Sequence, residues 1–358
     1  MELFWYIALA MMLITYVILD GYDFGAGIIH LFLAKTEKDK KSITKAIGPF
    51  WDANEVWLIA AGGVLFFAFP KLYASAFSGF YLPLMIVLWL IIFRAIGLEF
   101  RGQVNNELWK GFWDRAFGVS SLLLALFFGT ALGNVVRGVN LGGVVDGESL
   151  YEPIYFFLPL WNSEFSPLNI HPGVLDWFTV LIGLIAVVAL TIHGGNWIVL
   201  KTKASINEKI KNLNFLLTIV LFALILVSFG VWSLVDPNPF QNFLDYPILW
   251  IFPLLTLVGI GGLFNVKRFK KDGYGFLFSS VFLAGALTSS AISIFPNLLP
   301  STNEINPSLT IHNAAAGFYG LNAGLSWFFI AIVLVAIYMI VQYRVFKGKL
   351  DDIDYGEH

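Results

Sequence analysis

Four carboxylates lie inside or against two strongly apolar segments within residues 19–63, on either side of a lysine-rich turn. They are Asp20, Asp23, Asp52 and Glu55, and the two acids of each pair are three residues apart, so they share one face of a helix. Ionisable side chains at membrane depth are costly and mark functional sites by default. Because clustered carboxylates in a low dielectric share protons, we predict a proton entry path built from these four acids.

The same acids also have a structural interpretation. Asp52 and Glu55 follow Pro49 at a predicted helix start, where acidic side chains interact favourably with the helix dipole. Asp23 has an alternative role in a buried ion pair with Arg94, which is predicted near the cytosolic end of the third span. The two roles are compatible, since an arginine keeps one carboxylate ionised while its neighbours exchange protons. We therefore predict Arg94 as the supporting ion-pair partner.

The composition identifies the class of protein that must position these residues. Of 358 residues, 58% are hydrophobic and 13% are charged, against about 25% charged in a soluble domain. This indicates a polytopic membrane protein. The absence of cysteine excludes disulfides, thiol catalysis, iron–sulfur clusters and Cys-ligated zinc. The sequence has no Walker loop, GxGxxG fingerprint or HExxH site, so no nucleotide chemistry and no nucleic-acid partner are predicted.

Apolar runs of about 20 residues predict an all-α integral membrane protein with about nine transmembrane helices. We expect two four-helix bundles plus one peripheral helix. The first run has no basic region before it and is long enough to span, so we interpret it as a retained helix. The predicted spans are 3–33, 50–69, 76–98, 112–136, 174–200, 213–235, 248–266, 274–295 and 321–343. The predicted units are 1–137, an outer loop 138–173, 174–296, an outer loop 297–320, and a peripheral helix with a cytoplasmic tail 321–358.

The basic residues predict the orientation, because lysine and arginine concentrate in cytoplasmic loops. Of the 22 basic residues, all except Lys71 and Arg137 fall on one side of this nine-span arrangement. The N-terminus is therefore predicted outside and the C-terminus in the cytoplasm, with the acidic cluster towards the cytosolic side of a bacterial or archaeal cytoplasmic membrane. The outer segment 295–324 contains three prolines and cannot be a regular helix. We expect its Ser308, Thr310 and Asn313 to cap a turn ahead of the last helix.

Small residues and charged residues give further packing predictions. We expect Gly62 and Gly63 in the second span to allow close helix packing, and Glu99 to pair with Arg101 at the membrane interface. The first span has a similar small-residue face, formed by Gly21, Gly25, Ala26 and Gly27.

Haem ligation by this chain is a separate possibility, because pairs of histidines in bundle cores hold haem. Among the five histidines, only His30 and His193 fall within predicted spans, both near the cytosolic end. A bis-histidine haem between them is geometrically conceivable, but an interfacial role for histidine is commoner and is our preferred interpretation.

Five motifs are distributed along the chain. They are GYDFGAG at 21–27, PFWDANEVWLIAAGGVLFFAFPKLYASAFSGFY at 49–81, FRAIGLEFR at 93–101, FPNLLPS at 295–301 and SLTI at 308–311. The second motif is long and specific. Together they resemble a known family, subunit II of the cytochrome bd-type quinol oxidases, and the likeness runs over nearly the whole chain, being weakest in residues 140–247.

The resemblance implies a membrane complex that oxidises quinol and reduces dioxygen to water. It places haem b and haem d in a partner, subunit I, and leaves subunit II without haem and without catalytic activity of its own. Some members hold a structural quinone in subunit II, and this chain's sequence leaves that open. Membrane lipid and a small single-helix subunit are further partners to expect.

The resemblance also implies a proton route along the interface between the two subunits. By motif position its acids correspond to Asp23 and Asp52, while Asp20 and Arg94 match the same signatures. Glu55 stays in the predicted path, although a helix-start role is the preferred interpretation for it.

Two other functions use the same residues. A stand-alone proton-coupled transporter would use the carboxylates, but it usually has broken helices in both repeats, and here the buried charge is confined to the first half. An assembly or anchoring subunit would use the acids only for pairing with Arg94.

Overall fold

A computed structural model describes residues 1–142, 144–145, 148–149, 157–169, 171–203, 205–236, 238–303 and 306–350. Almost all of its regular structure is helical, which confirms the predicted all-α class. The helices are α1 (Glu2–Phe32), α2 (Glu37–Ile47), α3 (Trp51–Ala68), α4 (Pro70–Gly79), α5 (Tyr81–Phe100), α6 (Glu107–Arg137), α7 (Trp177–Lys201), α8 (Asn207–Val235), α9 (Gln241–Asp245), α10 (Ile251–Phe264), α11 (Gly273–Ile294) and α12 (Phe318–Val345). Two 3₁₀ turns, Pro247–Trp250 and Val266–Arg268, flank α10, and the short strands are β1 (Val144–Val145), β2 (Glu148–Ser149), β3 (Asn297–Leu299) and β4 (Leu309–Thr310).

Within the described residues, eight helical segments are long and apolar enough to cross a membrane. A ninth span is present if α3 and α4 count as one, although the two helices meet at an angle of 118°. The bend lies at Phe69, directly before Pro70, whose fixed φ suits the first position of a new helix. The predicted span 76–98 is therefore wrong at its start, because residues 76–79 end α4 and α5 begins only at Tyr81.

The lysine-rich turn contains a helix, α2, that the sequence did not predict. Thr36 caps it by accepting a hydrogen bond from the Asp39 N–H at 3.1 Å, and Asp39 accepts one from the Thr36 N–H at 3.3 Å. This reciprocal capping box satisfies two free backbone donors at the helix start. Ile43 and Ile47 on one face are fully buried. The helix is short and highly charged, so a search for long apolar runs does not detect it.

Two helices, α1 and α7, lie at the centre of the fold, and α1 packs against α3, α6, α7 and α11. Outside this pair, α5 packs on α6, α8 packs on α7, and α10 packs on α11. By contrast α12 is peripheral, and only Leu321 and Met339 are buried along its length. The division into units at residues 137 and 174 stays a prediction, and extensive contacts between α6 and α7 cross it.

Glycine allows α1 and α7 to cross with their backbones in contact. A Cβ atom built on Gly25 would lie 1.9 Å from the Leu190 carbonyl oxygen, and one built on Gly194 would lie 2.4 Å from the Ala26 nitrogen. The predicted small-residue face of the first helix is therefore a real packing surface. The same expectation for Gly62 and Gly63 is wrong within this chain, since a Cβ atom at either position would meet nothing within 4 Å.

The segment before α12, which was predicted to be an outer loop, forms a small hairpin of β3 and β4 followed by a capped turn. Thr310 Oγ1 accepts hydrogen bonds from the N–H groups of His312 and Asn313, each at 3.2 Å. Asn313 Oδ1 accepts one from the Thr310 N–H at 2.7 Å, and Ser308 Oγ accepts one from the Ser301 N–H at 2.9 Å. These contacts confirm the turn that was predicted ahead of the last helix.

Candidate functional site

The four predicted acids lie at different depths on two neighbouring helices. Asp20 and Asp23 on α1 are completely buried, with 0% of their surface exposed. On α3, Asp52 is exposed in the first turn, whereas the Glu55 side chain, one turn further on, is only 23% exposed. Because α1 and α3 pack against each other, the acids form a series from the protein surface to its interior.

Arg94 on α5 joins the acids of α1 and α3. Its Nη1 donates to Asp20 Oδ1 at 2.9 Å, and its Nη2 donates to Glu55 Oε1. The guanidinium also lies 4.8 Å from the centre of the Phe24 ring, in cation–π contact. The acid of α1 that pairs with Arg94 is Asp20 and not Asp23, so the alternative prediction of an ion pair between Asp23 and Arg94 is wrong.

Asp23 is bound by an amide rather than by a cation. Its Oδ2 accepts a hydrogen bond from Asn54 Nδ2 at 2.8 Å. The same amide nitrogen donates to the Tyr22 hydroxyl at 2.7 Å and to the Leu19 carbonyl oxygen at 3.2 Å. Asn54 on α3 therefore contacts the buried end of the acid series directly, a role that the sequence analysis did not predict.

Three polar atoms of this cluster are buried without a hydrogen bond of good geometry among the described residues: Asp20 Oδ2, Asp23 Oδ1 and Arg94 Nε. The Tyr16 hydroxyl and the Asp23 carboxyl nevertheless lie close enough to Asp20 to interact with its carboxyl group. Atoms buried without such a hydrogen bond are rare in proteins and call for a water, an ion or a proton. Three carboxyl groups share one guanidinium here, so full ionisation would leave two negative charges uncompensated. Burying an unpaired charge is strongly unfavourable, and binding a proton removes it.

The helix-start interpretation does not describe Glu55, because its side chain reaches Arg94. Asp52 does lie in the first turn of α3, where an acidic side chain interacts favourably with the helix dipole, although no side chain caps that helix start. Asp52 presents its carboxylate at the surface, close enough to Glu55 for their charges to interact. The proton-path roles of Asp52, Asp23, Asp20 and Glu55 stay predictions.

A second charged cluster, which was not predicted from the sequence, lies where α1, α2 and α6 meet. Asp114 accepts hydrogen bonds from Lys40 Nζ at 2.8 Å and from Arg101 Nε at 2.5 Å, and its Oδ1 lies 2.7 Å from His30 Nε2. Arg101 also donates to Glu37 at 2.8 Å, so the predicted pairing of Arg101 with Glu99 is wrong. The hydrogen bond from Arg101 and the nearby positive charges lower the pKa of Glu37.

The two histidines within spans both make hydrogen bonds inside this chain. Both ring nitrogens of His193 are engaged, Nδ1 with Ser279 Oγ at 2.7 Å and Nε2 with the Ile18 carbonyl oxygen at 2.8 Å. His30 uses Nε2 for Asp114, while its Nδ1 is buried without a hydrogen-bond partner among the described residues. In the segments between helices, His171 contacts Asn140 and His312 contacts Glu2, while His358 lies outside the described residues. The bis-histidine arrangement is therefore not supported.

Comparisons with known proteins cover almost the entire chain. Residues 1–346 match the family model described as cytochrome bd terminal oxidase subunit II. The chain is 30% identical to cytochrome bd-I ubiquinol oxidase subunit 2 of Escherichia coli, over 99% of this chain and 97% of that protein. It is 31% identical to cytochrome bd ubiquinol oxidase subunit 2 of Bacillus subtilis, over 88% and 87% of the two chains.

The fold is also similar to that of a solved structure, the bd oxidase from Geobacillus thermodenitrificans. The TM-score is 0.71 at 18% identity, over 97% of this chain and 98% of the other. Since the family model and the relatives extend over both halves of the sequence, this multi-pass membrane chain belongs to the family of subunit II of the cytochrome bd terminal oxidases.

Proposed function

We propose that this chain is the haem-free subunit of a bd-type complex that oxidises quinol and reduces dioxygen to water, and that it forms one wall of a cytoplasmic proton path. Its relatives in Escherichia coli and Bacillus subtilis are named as subunits of ubiquinol oxidases, which supports the reaction class. The main observation behind the proposed proton path is the series of acids that leads from exposed Asp52 to buried Asp23.

The path begins at Asp52, whose exposed carboxylate takes a proton from the aqueous side or from the face of the partner subunit. Glu55 lies one helical turn further along α3, about 5 Å by helix geometry. Arg94 bridges Glu55 to Asp20, and Asp20 and Asp23 lie one turn apart on α1. The unpartnered oxygens of Asp20 and Asp23 are suited to hold a shared proton or a water molecule that carries it.

The redox cofactors are assigned to the partner. Haem b and haem d belong to subunit I in this proposal, as the family resemblance implies. In this chain both ring nitrogens of His193 are hydrogen-bonded, and Nε2 of His30 contacts Asp114. The chain alone is accordingly not catalytic. A structural quinone on this chain and a small single-helix subunit stay predictions.

The charge distribution supports the orientation of this path. With the N-terminus outside and the C-terminus in the cytoplasm, the lysine-rich helix α2 and the start of α3 lie on the cytoplasmic side. Protons consumed in reducing dioxygen would then enter through Asp52 from the cytoplasm, as the proposed reaction requires.

Replacing Asp52 with asparagine in the assembled complex tests the path. We expect Asp52→Asn to lower quinol oxidase turnover and the coupled proton uptake at least about tenfold, because a positioned proton-transfer group typically contributes more than that. The haem content should be unchanged. The matched control is Glu208→Gln, which neutralises another exposed acid in the first turn of a membrane helix, α8.

The control should turn over like the wild type. If Asp52→Asn also retains full turnover and full proton uptake, the proton path is wrong. If it instead loses haem from the complex, Asp52 stabilises the assembly and does not carry protons.

A further inference from the structure

The last helix, α12, is peripheral within the membrane but firmly attached at its cytosolic end. Gln342 Nε2 donates to the Pro49 carbonyl oxygen at 2.6 Å, and Lys201 Nζ donates to the Phe346 carbonyl oxygen at 2.7 Å. Beyond the helix, Lys349 Nζ donates to Asp272 Oδ2 at 2.8 Å, and Leu350 is fully buried. Directional contacts therefore concentrate at the end of α12 that lies beside the acidic site.

Tyr343 is the residue of α12 that reaches this site. Its ring packs 4.9 Å from the Phe50 ring and 6.0 Å from the Trp197 ring, measured between centroids. Its hydroxyl lies 2.9 Å from the Tyr22 hydroxyl and 3.5 Å from Asn54 Oδ1. The aromatic contacts thus hold the hydroxyl against the amide that binds Asp23.

The three side chains can form a closed ring of hydrogen bonds with one consistent direction. Asn54 Nδ2 donates to the Tyr22 oxygen at 2.7 Å. Tyr22 then has its own O–H free to donate to Tyr343, and the Tyr343 O–H donates to Asn54 Oδ1. Because both hydroxyls can donate or accept, the ring alone is compatible with either amide orientation. The Leu19 carbonyl oxygen, which can only accept and lies 3.2 Å from Asn54 Nδ2, selects the observed one, and Tyr343 then supplies the donor for Oδ1.

The geometry points to Tyr343 as a positioning residue for Asp23, acting from the peripheral helix through the orientation of the Asn54 amide. With Oδ1 turned towards Tyr343, the amide presents its N–H group to Asp23 Oδ2. If the amide turned over, Asn54 Oδ1 would face the carboxyl instead, and only a protonated Asp23 could then donate to it. The functional part of this inference rests on the proposed proton path; the positioning itself does not.

The variant Tyr343→Phe tests the inference, because it retains the ring that packs on Phe50 and Trp197 and removes only the hydroxyl. Infrared pH-difference spectra of the whole complex report the carboxyl group of Asp23, whose band is identified by its loss in Asp23→Asn.

We expect the Asp23 band to shift in Tyr343→Phe. We also expect turnover to fall about two- to tenfold, the effect of losing one buried hydrogen bond from a proton-transfer site. Tyr338→Phe is the matched control, since the Tyr338 ring on the same helix is exposed.

Tyr22→Phe breaks the ring at a second point and should shift the same band, so the test does not depend on the assembly of one variant. An Asp23 band that is identical in the wild type and both tyrosine variants overturns the inference. A shifted band supports it even if Asp23→Asn turns over normally, in which case the proposed path is wrong and the positioning of Asp23 stands.

Discussion

Arg94 holds the acidic cluster together at the scale of single residues. Its guanidinium is almost completely buried and is bonded to one acid from each of two helices, Asp20 on α1 and Glu55 on α3. A guanidinium suits this role because its planar fork presents separate donors in fixed directions. Removing it would leave the carboxyl groups of Asp20, Asp23 and Glu55 without a counter-charge in a largely buried site.

We therefore expect Arg94→Gln to lower the stability of the complex by about 3–5 kcal/mol, the usual cost of breaking a buried pair. Thermal unfolding of the purified complex measures the loss. Arg94→Lys should be intermediate, since it restores the charge without the fork. Arg115→Gln, at an exposed position of α6, is the control. Equal unfolding temperatures for Arg94→Gln and Arg115→Gln would contradict a structural role for the bridge.

The residue types at this site were predictable from the sequence, but their pairing was not. Four acids and one arginine at membrane depth stand out in any apolar segment. Which of Asp20 and Asp23 faces Arg94 depends on the rotation of α1 about its axis, and the length of an apolar run does not determine that rotation. Asn54 was overlooked for a related reason: an uncharged amide at a helix start gives no electrostatic signal.

At the scale of elements, the crossing of α1 and α7 positions the buried acids. Gly25, two residues after Asp23, lies directly against the backbone of α7. Any side chain there would push the helices apart and move Asp23 relative to α3.

Gly25→Ala should therefore destabilise the chain by about 1–3 kcal/mol, the usual cost of overpacking, or prevent assembly altogether. The measurement is the yield and thermal stability of the membrane-extracted chain. Gly62→Ala is a matched control on α3, where a Cβ atom would meet nothing within 4 Å. Comparable losses in both variants would show that the close crossing is not what makes Gly25 necessary.

The apolar runs predicted most helices to within a few residues, because the bilayer thickness sets their length. The elements they missed are the short ones. The helix α2 is recognisable only by its capping box, and α4 is separated from α3 by a bend at Phe69 that a hydropathy average smooths over. Neither is long enough to cross a membrane by itself.

At the scale of the whole molecule, segregation of the basic residues predicts which side faces the cytoplasm. The sequence does not predict which helix surface meets the partner subunit, because lipid-facing and partner-facing helix surfaces are both apolar. Asp52 is informative in this respect, because its exposed carboxylate is unsuited to contact with lipid and is therefore expected to face water or the partner.

The absence of cysteine makes the orientation directly measurable, because single cysteines can be introduced one at a time. With a membrane-impermeant thiol reagent on intact cells, we expect Lys71→Cys to react. Lys41→Cys on α2 should react only after the membrane is opened. Both lysines are exposed, so accessibility within the fold is matched. The opposite labelling pattern would place the acid series on the outer side and rule out cytoplasmic proton entry.

The most direct test of the central claim is the absorption spectrum of whatever is purified from native membranes through an affinity tag on this chain. The account predicts a complex with a haem d band, and it predicts that all haem stays with the partner when the subunits are separated. A chain that carries haem by itself would contradict the haem-free role. A chain that never captures a haem-bearing partner, and that moves a solute when reconstituted alone, would instead identify a proton-coupled transporter.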